Sequence, residues 1–113
     1  MLYYDFEAGN KSYKLRLNTR NVVALEKQIN CNPLAIFGPN NDSIPTVNTM
    51  VAILWQSLQT YHHGINLDNA YDIFDEWLND GNTVPNFIAV IIEIYKVSGI
   101  IRVGGNEIID EKN

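Results

Sequence analysis

A single cysteine, Cys31, is found in 113 residues, so no intrachain disulfide can form and a reducing compartment is the expected setting. Lysine and arginine are scarce too: eight, scattered along the chain, stand against thirteen aspartates and glutamates, for a formal charge of −5. Nucleic-acid binding draws most of its affinity from clustered cations, so nucleic acid is not an expected partner. No long hydrophobic run is present. The most apolar stretch, Phe87 to Val97, is broken by Glu93 and Lys96 and falls well short of the roughly 20 residues that cross a bilayer. The opening Met1-Leu2-Tyr3-Tyr4-Asp5 has neither the basic region nor the apolar stretch of a secretion signal, so a soluble intracellular chain is expected, with no membrane partner.

Chemistry is equally sparse. There is no glycine-rich phosphate cradle, no nucleophile elbow and no zinc-ligand spacing. His62-His63 is the one candidate metal feature, but adjacent helical residues point about 100° apart, which favours a helix-end pair bonding free carbonyls. Asp68, Asp72, Asp75 and Glu76 read as a solvated helix face, because a calcium loop needs an obligate glycine that a helix lacks. Asp72 and Glu76 as an acid/base pair would need burial to separate their pKa values. Cys31 reads as a small residue just after a helix, with no base placed to activate it. The expectation is a non-enzymatic domain with no catalytic residue, no cofactor and no metal.

What is present is ordinary globular composition, 46% hydrophobic and 19% charged, in a length that suits one core. From Leu2 to Leu17 the apolar period is two: Leu2, Tyr4 and Phe6, then Tyr13, Leu15 and Leu17, with Ala8-Gly9-Asn10-Lys11 as the turn of a hairpin. Thr19 is placed to cap a helix to about Asn30, with Val22, Leu25 and Ile29 as its stripe. Pro33 to Phe37 suits a short helix, and residues 38–45 hold the breakers of one long loop. Thr46 caps a helix with Val47, Met50, Val51, Leu54, Leu58 and Tyr61 at helical spacing, ended by Gly64. Asn66 caps another, with Leu67, Ala70, Tyr71, Phe74 and Leu78 as its stripe and Asp80 near its end opposing the dipole. After Val84-Pro85 comes a last helix, Asn86 to Ser98, apolar around most of its circumference and so either central or facing a partner. The fold class is α+β, mainly α: an N-terminal β-hairpin packed on a bundle of about four helices. Residues 1–103 form a single domain, followed by a flexible tail, 104–113.

The apolar excess supplies the candidate binding residues. Trp55 and Trp77 each lie about 80° off their helix stripe, with Ile53 and Ile73 further round. The simpler reading covers these four with the hairpin or a neighbouring helix; exposed, they would make a hot spot for protein binding. Phe87, Ile91 and Ile94 of the last helix complete the set.

Tyr13-Lys14-Leu15-Arg16-Leu17-Asn18-Thr19-Arg20, Leu25-Glu26-Lys27, Asn32-Pro33-Leu34, Tyr61-His62-His63-Gly64-Ile65-Asn66-Leu67-Asp68, Tyr71-Asp72-Ile73-Phe74-Asp75-Glu76 and Ile92-Glu93-Ile94-Tyr95-Lys96-Val97-Ser98-Gly99 follow in order. In these segments the chain resembles the tail assembly chaperones of long-tailed phages and prophages of Gram-positive bacteria. The resemblance implies a non-structural protein that coats the tape-measure protein and helps recruit tail-tube protein around it; self-association along such a client is a further possibility, because many weak sites on one long chain gain from multivalency. It would act in the cytoplasm of the host bacterium and be absent from the mature virion. The competing expectation is a structural tail-completion or connector subunit that stays in the particle.

Overall fold

The computed structural model describes residues 2–37 and 44–102. Most of the expected 38–45 loop and all of the 104–113 tail lie outside them. Strands β1 (Tyr4–Ala8) and β2 (Lys11–Leu15) pair antiparallel, with Phe6 opposite Tyr13 and Ala8 opposite Lys11. The two residues between them, Gly9 and Asn10, both have positive φ, 58° and 67°. That is the two-residue hairpin turn whose twist matches the strands, and glycine followed by asparagine adopts it at little steric cost. Phe6, Ala8, Leu15 and, just past the strand, Leu17 are buried. Leu2, expected on that face, precedes the strand and is 67% exposed.

Helix α1 (Thr19–Ile29) begins one residue earlier in its cap than the sequence suggested. Asn18, not Thr19, is the cap: its Oδ1 accepts the Asn21 N–H at 3.0 Å, and Asn21 Oδ1 accepts the Asn18 N–H at 3.3 Å. A short 3₁₀ helix, Pro33–Phe37, follows. Helix α2 (Val47–Leu58) is capped by Thr46 as expected, its Oγ1 accepting the Thr49 N–H at 3.1 Å. It stops at Leu58 rather than running to Gly64, and Tyr61, beyond its end, is 39% exposed. Val47, at its first turn, is exposed as well. Helix α3 (Leu67–Asn79) starts at Asn66, which exchanges the same reciprocal pair of bonds with Asn69. A 3₁₀ turn, Val84–Asn86, leads into α4 (Phe87–Val97). Past α4, Gly99 (φ +76°) reverses the chain so that the Ile100 N–H reaches Tyr95 O at 2.9 Å and its own N–H reaches Lys96 O at 3.1 Å, a glycine-terminated helix end.

One apolar core joins these elements. The sequence left α4 as either central or facing a partner; α4 buries Phe87, Val90, Ile91, Ile94 and Tyr95, and α2 is at least as enclosed. Even polar members of α2 are buried. Gln56 Nε2 donates to Gln28 Oε1 of α1 at 3.1 Å, and Ser57 Oγ donates to Leu54 O at 2.9 Å. Burial of such groups is tolerable only because each finds a partner. Where β1, α3 and α4 meet, Phe6, Phe74, Trp77 and Phe87 form an aromatic cluster with centroid separations from 5.1 Å for Phe74–Phe87 to 6.1 Å for Phe6–Phe87. Edge-on and tilted contacts at these distances suit the ring quadrupoles.

Polar straps hold the hairpin to the helices. Arg16 donates from Nη1 to Val97 O at 2.7 Å and to Leu2 O at 2.8 Å; the Leu17 N–H donates to Ser98 Oγ at 2.8 Å. The Arg16 N–H donates to Ser57 O at 2.9 Å, and Thr60 Oγ1 donates to Arg16 O at 2.9 Å. No helix among the described residues is long and apolar enough to cross a membrane.

Candidate functional site

Six of the residues singled out for binding are core residues in this fold. Ile53, Trp77, Phe87, Ile91 and Ile94 are buried in the core, and Ile73, also buried, keeps only an edge on the groove described below. For Ile73 and Trp77 this is the simpler reading, coverage by the hairpin, and the buried stripe of α3 accounts for it. It runs through Ala70, Ile73, Phe74 and Trp77, turned from the expected Leu67–Tyr71–Leu78 line towards the hairpin, which packs on that side; Tyr71 is left 43% exposed. Trp55 is half-buried and serves as a clamp. Its indole Nε1 donates to Ile65 O at 2.9 Å, while Gln59 Nε2 donates to the same carbonyl at 2.9 Å and to Trp55 O at 3.1 Å. Together they fix the turn between α2 and α3.

The two histidines do different work. His63 Nδ1 lies 3.3 Å from Gln59 O, the helix-end role read from the sequence. His62 turns towards the hairpin instead: its Nε2 accepts the Lys14 N–H at 2.9 Å, and its ring meets that of Tyr13 edge-on at 5.6 Å. Accepting a hydrogen bond requires a lone pair on Nε2, so the bond holds His62 neutral with its proton on Nδ1. Burial first, then the nearby Lys14 and His63 charges, lower its pKa below the ordinary imidazole value. Among the described residues no group of three or more His, Cys, Asp or Glu is arranged to hold a metal ion.

The acidic side of α3 is exposed, as expected, but it is also a wall. An open groove of about 340 Å³ runs between the hairpin and α3, lined by Lys11, Tyr13, Ile65, Asn69, Asp72, Ile73 and Glu76. The hairpin tip is pinned beside it by α3 and its cap. Asp80, expected only to oppose the helix dipole, accepts the Gly9 N–H on Oδ2 at 2.9 Å. The Glu76 carboxyl carbon would stand 2.8 Å from a Cβ placed on Gly9, so the absence of a side chain there lets the turn approach the helix. Burial, and then the Glu76 charge, raise the Tyr13 pKa above the usual phenol value. Asp72 and Glu76, one turn apart on the same face, repel by about 0.2–0.5 kcal/mol in such a pair.

On the opposite face of the hairpin, Lys14 Nζ lies 5.0 Å from the Tyr3 ring centroid and 5.8 Å from that of Tyr61, and the two rings meet edge-on at 5.6 Å. This cluster satisfies its own cation. The groove, by contrast, has polar groups that its walls leave unpaired: neither Asp72 nor Glu76 accepts a hydrogen bond from a described side chain, and no ion pair joins either to Lys11. Sequence reasoning saw both walls, the alternating hairpin and the acidic stripe, and missed that they face one another. Gly9-Asn10, a pair that tolerates positive φ, and an acidic residue just past the end of α3 were the signals available.

No protein-family model, curated protein or solved structure matches this chain.

Proposed function

We propose that this protein is a phage tail assembly chaperone: a non-catalytic domain that binds the tape-measure protein and promotes assembly of tail-tube protein around it. The reading rests on the resemblance in sequence, and one observation supports it most. Tyr13, Ile65, Asp72, Ile73 and Glu76 lie within the resembling segments and also line the groove between hairpin and α3. Residues far apart in the chain that share both a pattern and a cleft fit a binding role better than a core role alone. On this reading the chain acts in the bacterial cytoplasm, binds its client reversibly and leaves the assembled particle.

Two measurements test it. The tagged chain, expressed together with the tape-measure protein of the same phage or prophage, retains that protein through purification, and an unrelated acidic helical domain does not. Mass spectrometry of purified virions finds the chain absent or at trace level. Stoichiometric amounts in the particle would instead establish a tail-completion or connector subunit.

A further inference from the structure

The groove between hairpin and α3 has a chemistry of its own. Its apolar lining comes from Tyr13, Ile65 and Ile73, and beside it stand two carboxylates, Asp72 and Glu76, against one ammonium, Lys11. Neither carboxylate is bonded to a described side chain. The rest of α3 adds Asp68 and Asp75, both exposed, and has no cation. A second copy of this acidic chain would bring like charges together here, and a nucleic acid would do the same. A lysine or arginine side chain suits both halves of the groove at once, because its aliphatic stem covers apolar surface while its charged head reaches the carboxylates.

We propose that this groove is a docking site for a protein segment in which lysine or arginine is flanked by an apolar residue. The stem lies along Tyr13 and Ile73, the cation sits between Asp72 and Glu76, and the neighbouring apolar side chain contacts Ile65. The proposal rests on the chaperone reading only for the identity of the natural partner; the recognition chemistry belongs to the groove.

The test titrates the full chain, labelled with ¹⁵N, with a capped helical peptide of Lys, Leu and Ala. Control peptides have Glu in place of Lys, or Ala in place of Leu. The expected result is that the Lys/Leu peptide shifts amide signals of Lys11, Tyr13, Asn69, Asp72, Ile73 and Glu76, and that both control peptides bind at least about tenfold more weakly, a difference of about 1.4 kcal/mol. Asp72→Lys with Glu76→Lys should weaken the Lys/Leu peptide by at least about tenfold, while Asp68→Lys with Asp75→Lys, the same charge change off the groove, weakens it by less than about threefold. Should the first pair fail to fold, Asp72→Asn with Glu76→Gln, set against Asp68→Asn with Asp75→Asn, provides the same comparison without reversing charge. Equal weakening by the two charge pairs would reduce the effect to the general field of an acidic protein and overturn the proposal, as would shifts centred on α1 or α4, or equal affinity for the Ala-for-Leu peptide. Capture of the tape-measure protein separates the two readings. Undiminished capture by the Asp72/Glu76 variant sinks the groove and leaves the chaperone standing; groove binding of the peptide without capture does the reverse.

Discussion

His62 holds the hairpin through a lone pair, and protons compete for it. In the unfolded chain the imidazole has a pKa of about 6.5, and in the fold burial and the Lys14 and His63 charges lower it. The sign follows from linkage: a group whose folded pKa is depressed contributes its full stability above the unfolded value and loses it as pH falls below about 6.5 towards the folded value. Urea denaturation between pH 8 and pH 5 should therefore show stability falling on the acid side. His62→Ala should flatten that fall while lowering stability at pH 8 by about 0.5–1.5 kcal/mol, the usual net worth of one hydrogen bond. A variant that keeps the wild-type slope would show that another group titrates. Tyr95 is the buried counterpart. Its hydroxyl donates to Pro33 O at 3.0 Å, tying α4 to the 3₁₀ turn after α1, and burial, then the neighbouring Cys31, push its pKa above the usual phenol value. Tyr95→Phe should cost about 1–2 kcal/mol, because it strips a partner from a carbonyl group in the interior.

At the scale of elements, caps and turns carry the sharpest expectations. Asn66→Ala removes the side chain that accepts the Asn69 N–H at 2.8 Å and should lower stability by about 1 kcal/mol; Asn66→Ser should recover most of it. Gly9→Ala forces a side chain into a left-handed conformation, at φ +58°, and should cost about 1–2 kcal/mol in a denaturant titration. Because the obstructing atoms belong to the movable end of Glu76, adding Glu76→Ala should restore little of the loss. If it restores most, crowding rather than backbone strain governs the turn. These elements were largely legible beforehand. The period of two around Gly9-Asn10, Thr46 before an apolar stripe, Pro33 and Val84-Pro85 each act through local sterics, and the structure places strands, helices and 3₁₀ turns there. Rotation of a helix about its own axis was not legible. The local pattern of α3 allows Tyr71 or Trp77 as the centre of its buried face, and only partners distant in sequence, Phe6 of the hairpin and Phe87 of α4, select Trp77. For the same reason the apolar flanks of α2 and α3 could be read as covered or as exposed, and the fold covers all of them but the half-buried Trp55; the groove, made by two elements distant in sequence, could not be seen in either.

At the scale of the molecule, a core shared by the hairpin and all four α-helices implies that none of them is stable without the others. Trp77 sits in the aromatic cluster between β1, α3 and α4, 5.8 Å from Phe6 and 5.4 Å from Phe87. In a Trp55→Phe variant, which leaves Trp77 as the one indole, its fluorescence reports on tertiary packing, and far-ultraviolet circular dichroism reports on the helices. In urea the two signals should trace a single coincident transition. Separate midpoints would mean that the α1–α2 pair persists after the hairpin side has opened.

Arg16 and Leu17 reach across the whole sequence to Val97 and Ser98, and that has a bearing on synthesis. Among the described elements the hairpin leaves the ribosome first, yet the Phe87 ring that covers one side of Phe6 and the Val97 carbonyl that anchors Arg16 belong to α4, which emerges after the other described helices. Until α4 is free, the nascent chain can form helices locally and set the hairpin against α2 and α3, but it lacks the Phe87 ring and the Val97 and Ser98 anchors, and contacts so distant in sequence are slow to form. Folding is then completed only after α4 has emerged, and until then the aromatic cluster stays open on the side that Phe87 covers.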